Sequence, residues 1–534
     1  MNLIHTQLDQ STSPLLGLLV VLPFLAAAVV ALVQSTGLAR IVAISGALAT
    51  LGLAAWLGFG VINNFGGTEL VWMPDPSFTI TGPPVAFAPQ LALNGVSVWL
   101  VLLSALLVPL AMLSSIGAVR DHEKWYLAWM LVLLGALLGA FTADDVLLFY
   151  VFFEVTLIPA YFLISGWGDT DRKPAAGRFF LFTFAGSVFM LAAIVFGGVH
   201  AQTFQMDRWI AVVQSELPNT QTRWILAGLL IGLLVKVPVM PLHSWLAPAY
   251  TQAPAPVTAL LSGAMAKLGT YGLLVIVIPA GFVEEVMPGI PGHTRTAYAL
   301  IILSTLSMLV MAVVAWVQSD IRAVLAYASI SHLALCVLAM LALSRLGLQA
   351  SVLYMVNHGI ISGALFLLMG MIERRTGTRE INQISGLGRD RPLLSFFLVL
   401  FAMASVGLPL TNGFVSEFLS IQAVMSASHM GVGLGVVVAL GIVLGAMYML
   451  RLTGVILFGP AKETLNAAVE GDLSRREVAC LVPLAVLVIV LGVRPGIVTD
   501  TTIATLKTIR TPVAQLADQS TRQSDVQLPS PRIE

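Results

Sequence analysis

VLLFYVFFEVTLIPAYFLISG, Val146–Gly166, decides the architecture. Apart from one carboxylate, Glu154, the stretch holds no charge, and its apolar side chains fall on every face of a helix instead of alternating as in a strand. At 1.5 Å per residue, a run of roughly 20 such residues crosses a hydrocarbon core about 30 Å thick. Inside a bilayer only helices and closed barrels satisfy every backbone N–H and C=O, and the lack of a two-residue period excludes the barrel. Similar runs recur along nearly the whole chain of 534 residues, of which 58% are hydrophobic and 10% charged. Soluble domains carry about 25% charged residues. The sequence therefore predicts an all-α polytopic membrane protein.

About fourteen transmembrane helices are expected, beginning near Pro14, Ile41, Ser97, Trp125, Val146, Gly177, Trp224, Pro256, Tyr298, Ala323, Ser351, Leu393, Val432 and Ala479. No basic segment precedes the first, so it reads as a retained helix and not a cleaved signal. Helices 7 and 12 are broken, the former by Pro238 and Pro241, the latter by Gly407 and Pro409, because proline removes a donor and clashes with the preceding turn. The breaks lie five helices apart, and an odd offset inverts a repeat in the membrane. Two inverted five-helix repeats follow, helices 4 to 8 within 125–280 and helices 9 to 13 within 297–458, with broken helices at the transported ion. Residues 1–124 form a three-helix segment with an extracytoplasmic loop from Asn63 to Ala92. Residues 459–510 hold the last helix, and 511–534 form a polar tail.

Lys and Arg in alternate loops give the orientation, since cytoplasmic loops are enriched in them. One set of loops holds sixteen, including Arg172, Lys173, Arg374, Arg375, Arg379, Arg475 and Arg476; the opposite loops hold Arg208, Arg223, Arg295 and Arg345. Both termini are therefore expected on the extracytoplasmic side. Equal totals of 27 basic and 27 acidic residues argue against nucleic acid as a partner. Cys336 and Cys480 fall within apolar runs and read as buried thiols, so a redox cofactor has no evident ligands.

Against this background the intramembrane charges stand out. Glu154 is about 12 Å into its span and Lys267 about 15 Å into its own. Each such group costs roughly 2.5–3.5 kcal/mol to insert unless it meets a partner or water. Lys236 stands two residues before Pro238, where freed carbonyls and an ammonium together make a polar spot. Glu417 follows the second break. A lysine in low dielectric near a carboxylate is a base whose proton affinity can be moved, which is what proton transfer requires. One or two buried charges can be structural pairs; four at similar depth, two beside helix breaks, point to a proton path. His332 and His358 lie near the centres of consecutive spans and can relay protons. His243, just after the first break, could equally plug freed carbonyls. Asp144, Asp145 and Asp320 stand at span mouths and read as solvated interface charges.

Several segments carry a family resemblance. FFEVTLIP (Phe152–Pro159) and KVPVMPLHSWL (Lys236–Leu246), with TQAP (Thr251–Pro254), SDIR (Ser319–Arg322), AYASISH (Ala326–His332) and NHG (Asn357–Gly359), resemble the antiporter-like membrane-arm subunits of proton-translocating NADH–quinone oxidoreductase, respiratory complex I. The resemblance runs from about Asn94 to Arg476. GLP (Gly407–Pro409) leading to FVSEF (Phe414–Phe418) matches the branch with glutamate in helix 12 where sister subunits carry lysine. It implies a bacterial inner (plasma) membrane subunit without redox centres. NADH, flavin, iron–sulfur clusters and quinone would belong to partner subunits; its own partners would be the sister antiporter-like subunits and the bilayer. It also implies roles: Glu154 and Lys236 as a paired switch, Lys267 as central relay, His332 and His358 as connecting path, Glu417 as exit group. Two departures are visible: the family's Pro-Asp-Ala-His is Ala247-Pro248-Ala249-Tyr250 here, and Asn94 replaces a common aspartate. A subunit of a multisubunit sodium/proton antiporter shares most of these motifs, and a purely structural scaffold would make the buried charges dispensable.

Overall fold

The computed structural model describes residues 9–64, 67–73, 87–119, 121–281, 291–460 and 471–510. The expected polar tail, 511–534, and part of the Asn63–Ala92 loop lie outside these. Among the described residues, twelve helices are long and apolar enough to cross a membrane. In chain order the helical elements begin with α1 (Pro14–Leu32), α2 (Thr36–Asn63), α3 (Ser97–Ser115) and α4 (Glu123–Thr142). α5 (Val146–Val155) and α6 (Leu157–Trp167) make one span, followed by α7 (Arg172–Ala201), the short α8 (Met206–Ser215), α9 (Asn219–Lys236) and α10 (Leu246–Gln252). The span Ala255–Gly281 joins α11 (Ala255–Leu260), α12 (Lys267–Gly272) and α13 (Ile278–Gly281) through two π-helical turns, Leu261–Met265 and Leu273–Val277. Then come α14 (Pro291–Val317), α15 (Ile321–Leu341), α16 (Arg345–Thr376), α17 (Pro392–Ser405), α18 (Asn412–Ser426), α19 (Gly431–Phe458), α20 (Arg475–Val493) and α21 (Gly496–Arg510).

The expected spans beginning near Trp224 and Leu393 are not among the twelve. α9 ends on Lys236 and chain turns carry it to α10, while α17 stops at Ser405 after 14 residues and α18 resumes at Asn412. Gly407 takes φ +77° in that turn, a left-handed conformation that suits glycine.

An expectation of helices alone misses a small three-stranded sheet. β1 (Asp9–Thr12) pairs in parallel with β2 (Thr68–Trp72), which pairs antiparallel with β3 (Leu91–Leu93). Its strands are three to five residues long and come from distant segments, so no local period announces them.

Burial locates the core. The most apolar windows of Ala255–Gly281 and of α16 are wholly buried, whereas only a third of those in α2, α19 and α20 are. The former are surrounded by protein, while the latter keep broad apolar faces outward, with Trp56, Phe59, Val436 and Leu440 more than half exposed, as lipid-facing helices do. α21 closes one end of the core: Trp99 Nε1 donates to Thr501 Oγ1 (2.8 Å), Gly95 N donates to Thr505 Oγ1 (3.1 Å), and Gln349 Nε2 donates to Thr499 O (2.9 Å).

Helix ends are tied by charge, and here one expectation needs correcting. Asp145 is not a solvated interface charge: it is 2% exposed and caps α5, accepting from Leu147 N and Leu148 N at 2.8 and 2.9 Å. Asp320 caps α15 in the same way, through Arg322 N and Ala323 N. Arg322, 5% exposed, bonds Glu373 and donates to Ala253 O (2.8 Å), while Arg379 reaches Asp169 (2.6 Å) and Asp320 (3.3 Å). A second clip joins Arg375 to Glu477, with side chains 1% and 5% exposed and bonds of 2.7 and 3.0 Å.

Arg375→Ala leaves the buried Glu477 carboxylate with Arg374 and Ser474 as its remaining partners and should cost about 1.5–3 kcal/mol, read as a lower Tm of the purified assembly; an unchanged Tm would show the clip to be idle. Burial also raises the Asp145 carboxyl from 3.8 to about 6, against the lowering by its two backbone donors. A raised acid binds more protons folded than unfolded, so stability falls as pH rises from 3.8 to about 6 and the loss persists above that range. Asp145→Asn keeps the cap, and its Tm advantage over the parent should therefore grow from pH 4 to pH 7, as followed in matched thermal melts.

Candidate functional site

The intramembrane charges form a row through the buried centre, beginning at the end of α5. Glu154 precedes the short interruption at Thr156; its Oε1 is buried without a hydrogen-bond partner, and Ser187 on α7 lies beside the carboxylate. Lys236 ends α9 and is 1% exposed. Among the described ion pairs none joins it to Glu154. Instead its Nζ donates to Thr156 Oγ1 (3.3 Å) and stands 4.7 Å from the centroid of the Phe153 ring, a cation–π distance. The two residues expected as a pair are thus neighbours held apart, with a hydroxyl and a ring face at the ammonium.

Beyond Lys236 is a cavity of about 10 Å³, lined also by Phe179, Trp245, Tyr250, Leu261, Met265 and Ala266. That is about the space of one water molecule. Trp245 Nε1 donates to Val235 O (2.9 Å), satisfying a carbonyl freed at the break. Tyr250 stands where the family's histidine was missed in the sequence. It puts a phenol on the cavity wall, close enough to Ser262 for a hydrogen bond. His243 lies on the turn after the break. Its Nδ1 is buried without a partner, and the ring's hydrogen bond is to Pro241's backbone, so it is not joined to the row.

Lys267 is fully buried at the start of α12, between the two π-helical turns. Its Nζ lies 2.8 Å from His358 Nδ1 and bonds Ser262 O, a carbonyl within the first π-helical turn. Such turns are frequent at functional sites because they free backbone groups from the helical ladder. Ser262 Oγ lies 3.2 Å from Ser329 Oγ on α15.

From His358 the row opens into a cavity of about 30 Å³, whose walls include Ser329, His332, Tyr354, His358, Ser362 and Glu417. The His332 and His358 rings are 5.7 Å apart. His332 does not bond His358: its Nδ1 faces Tyr354 Oη at 2.7 Å and its Nε2 faces Tyr448 Oη at 3.1 Å. Glu417, 6% exposed, projects from α18 against Gly407. A Cβ at Gly407 would stand 2.2 Å from Glu417 Oε2, so the glycine gives the carboxylate its place as well as the turn its φ. Asn357 Nδ2 donates to Asn412 O (2.7 Å) and Asn412 Nδ2 to Asn357 Oδ1 (3.1 Å), locking the His358 turn of α16 to the start of α18.

Of the residues expected from sequence, Lys267 and His358 touch, His332 and Glu417 share a cavity with His358, Glu154 and Lys236 stand close without an ion pair, and His243 stays apart. Thr156, Ser262, Tyr354 and Tyr448 were missed. Only Tyr354 had a local signal, one turn before His358 on the same helix face. Among the described residues no group of three His, Cys, Asp or Glu side chains is arranged to hold a metal ion. What the row can do is pass protons between bases along hydroxyls, imidazoles and single water molecules.

These features define a class: a multi-pass membrane protein with a buried row of titratable groups between interrupted helices. The family described as NADH:quinone oxidoreductase/Mrp antiporter, TM, matches residues 143–445, and the chain belongs to it. It is similar to NADH-quinone oxidoreductase subunit M of Rickettsia typhi, 32% identical over 409 residues, 76% of this chain and 80% of that one. The subunit of the same name in Rhodobacter capsulatus is 34% identical over 425 residues, 77% of this chain and 80% of its own. Among solved structures, respiratory complex I from Thermus thermophilus with bound NADH holds a chain 28% identical with TM-score 0.78, covering 92% of this chain and 99% of that one. A chain of the Mrp complex from a Dietzia species shares the fold at TM-score 0.80 and 22% identity, covering 94% and 98%.

Gly407→Ala combines a disfavoured φ with a clash at the carboxylate and should cost about 1–3 kcal/mol, read as a lower Tm, together with a shifted infrared carboxyl band for Glu417. An unmoved band would show that the glycine does not place Glu417.

Proposed function

We propose that this chain is the M-type antiporter-like subunit of NADH–quinone oxidoreductase and that it moves protons across the membrane through its own core. The observation that supports this best is the buried line from Lys236 by way of Lys267 and His358 to Glu417, built from groups that exchange protons and interrupted by spaces of one or a few water molecules. A lysine at 0% exposure whose neighbours are an imidazole and a carbonyl, with no carboxylate among the described ion pairs, fits proton transfer.

In this reading the chain crosses the membrane fourteen times, with both termini extracytoplasmic, in a bacterial plasma membrane. Helices 4 to 8 and 9 to 13 form two inverted repeats, each with its break at the row. Glu154 and Lys236 act as a switch. When the ammonium approaches Glu154 the charged pair is favoured; when it withdraws to Thr156 and Phe153 its proton is free to move to Lys267. Lys267 passes it to His358, and Glu417 holds it before release. His332 flanks the cavity between them, and His243 is auxiliary at most. Oxidation of NADH and reduction of quinone take place in partner subunits that hold flavin and iron–sulfur clusters. Their free energy reaches this row through the sister antiporter-like subunits as a conformational or electrostatic change. No cofactor is required in this chain.

Glutamate at 417 favours this reading over a subunit of a sodium/proton antiporter. Glu154→Ala and Lys236→Ala should each assemble, yet lose most NADH-driven acidification in inverted vesicles; full pumping in either would sink the mechanism. A sodium-selective ionophore should leave the wild-type proton gradient intact, whereas its collapse would favour the sodium reading.

A further inference from the structure

Both ring nitrogens of His332 are met by phenol hydroxyls, Tyr354 Oη at Nδ1 and Tyr448 Oη at Nε2. The three side chains come from α15, α16 and α19, so three helices converge on one imidazole. A neutral imidazole offers one donor and one acceptor, an imidazolium offers two donors, and a hydroxyl has one hydrogen to give and two lone pairs. Two flanking hydroxyls therefore suit both charge states. Around a neutral ring one hydroxyl donates and the other accepts. Around a cation both accept, and both must turn their own hydrogens elsewhere. Glu417 offers a carboxylate on that side. Its carboxylate acts electrostatically on both hydroxyls, and it shares the walls of one cavity with His332 and Tyr354.

Resting on the function proposed above, we propose that Tyr354 and Tyr448 are two parallel hydroxyl bridges through which His332 and Glu417 exchange a proton. Starting from the neutral acid, the Glu417 O–H bond breaks as its proton passes to a tyrosine oxygen, directly or through cavity water. The same oxygen releases its own hydrogen to the facing imidazole nitrogen, where an N–H bond forms. The products are a carboxylate and an imidazolium, with the tyrosine restored and the proton count unchanged. The resulting imidazolium donates from both nitrogens to the two hydroxyl oxygens, whose hydrogens now face the carboxylate. The other titratable groups facing His332 and the tyrosines are Lys267, His358 and Cys336. A proton on Lys267 repels one on His332, so loading of the central lysine drives the exchanged proton back toward Glu417.

The test uses the assembled complex in inverted membrane vesicles with Tyr354→Phe, Tyr448→Phe and the double variant, with Glu417→Gln in parallel. Phenylalanine keeps each ring and removes each bridge. Either single variant should pump within about twofold of wild type because one bridge remains, and the double should lose about tenfold or more, a non-additive pattern. Each single should also shift the infrared carboxyl band that disappears in Glu417→Gln, a signature that loss of packing would not move. Full pumping by the double variant overturns the bridges. Should the double not assemble, an unshifted Glu417 band in both singles overturns them equally. Wild-type pumping by Glu417→Gln would instead overturn the reading of the whole row, whereas its loss beside a fully active double variant removes the bridges alone.

Discussion

The centre of this molecule answers to one constraint, an ammonium group at 0% exposure at membrane depth with no carboxylate against it among the described residues. Inserting such a group costs roughly 2.5–3.5 kcal/mol unless polar atoms surround it, and in a bilayer those atoms must come from the protein. A regular helix has none to spare, because every carbonyl is committed to the residue four further on. The chain escapes by distorting itself where the charges sit. π-helical turns flank Lys267 and leave the Ser262 carbonyl for its Nζ, α9 stops at Lys236, and the gap between α17 and α18 faces Glu417 through Gly407. Irregular backbone at membrane depth is tolerated where protein or a wet cavity takes up the freed groups. Here the distortions and the charges share addresses.

One end of the bundle obeys the opposite rule. Arg322, Arg379, Asp169, Asp320 and Glu373 are knotted at one end, and Arg374, Arg375 and Glu477 form a second knot beside it. There, opposite charges touch, and breaking one partner strands another. These pairs hold the loops of α6–α7, α10–α11, α15 and α16 in one register. A rigid end lets the middle of the bundle hold cavities of about 10 and 30 Å³ without loss of the fold.

The helical membrane architecture was legible from hydropathy, since apolar runs of spanning length have few other fates. So were the principal charges, because cost alone marks Glu154, Lys236, Lys267 and Glu417. Connectivity was not. Hydropathy cannot say that Lys236 turns to Thr156 and Phe153 and not to Glu154, because that depends on how α5 and α9 are rotated about their axes. His332 and His358 looked alike in sequence, each an imidazole at mid-span. Only the packing of α15, α16 and α19 gives one to a lysine and the other to two tyrosines. Tyr448 was invisible for the same reason, an amphipathic ring in a mostly apolar helix. Asp145 misled because a carboxylate at a span mouth is solvated or an N-cap with equal ease, and only burial separates the two.

The contrast between end and middle also bears on mechanism. An ion pair closed in low dielectric is a deep well, since at 4 Å even an effective dielectric constant of 20 gives about 4 kcal/mol of attraction. A chain of such pairs would bind a proton tightly and release it slowly. At its centre this protein places hydroxyls, imidazoles, a carbonyl and a ring face next to its charges, partners that stabilise an ammonium or a carboxylate without fixing it. On the proposed function, each step along the row joins states of comparable energy, so that a modest electrostatic push from a neighbouring site reverses it. On that reading, strong pairs at one end preserve the frame, while weak, exchangeable partners in the middle keep the proton mobile within it.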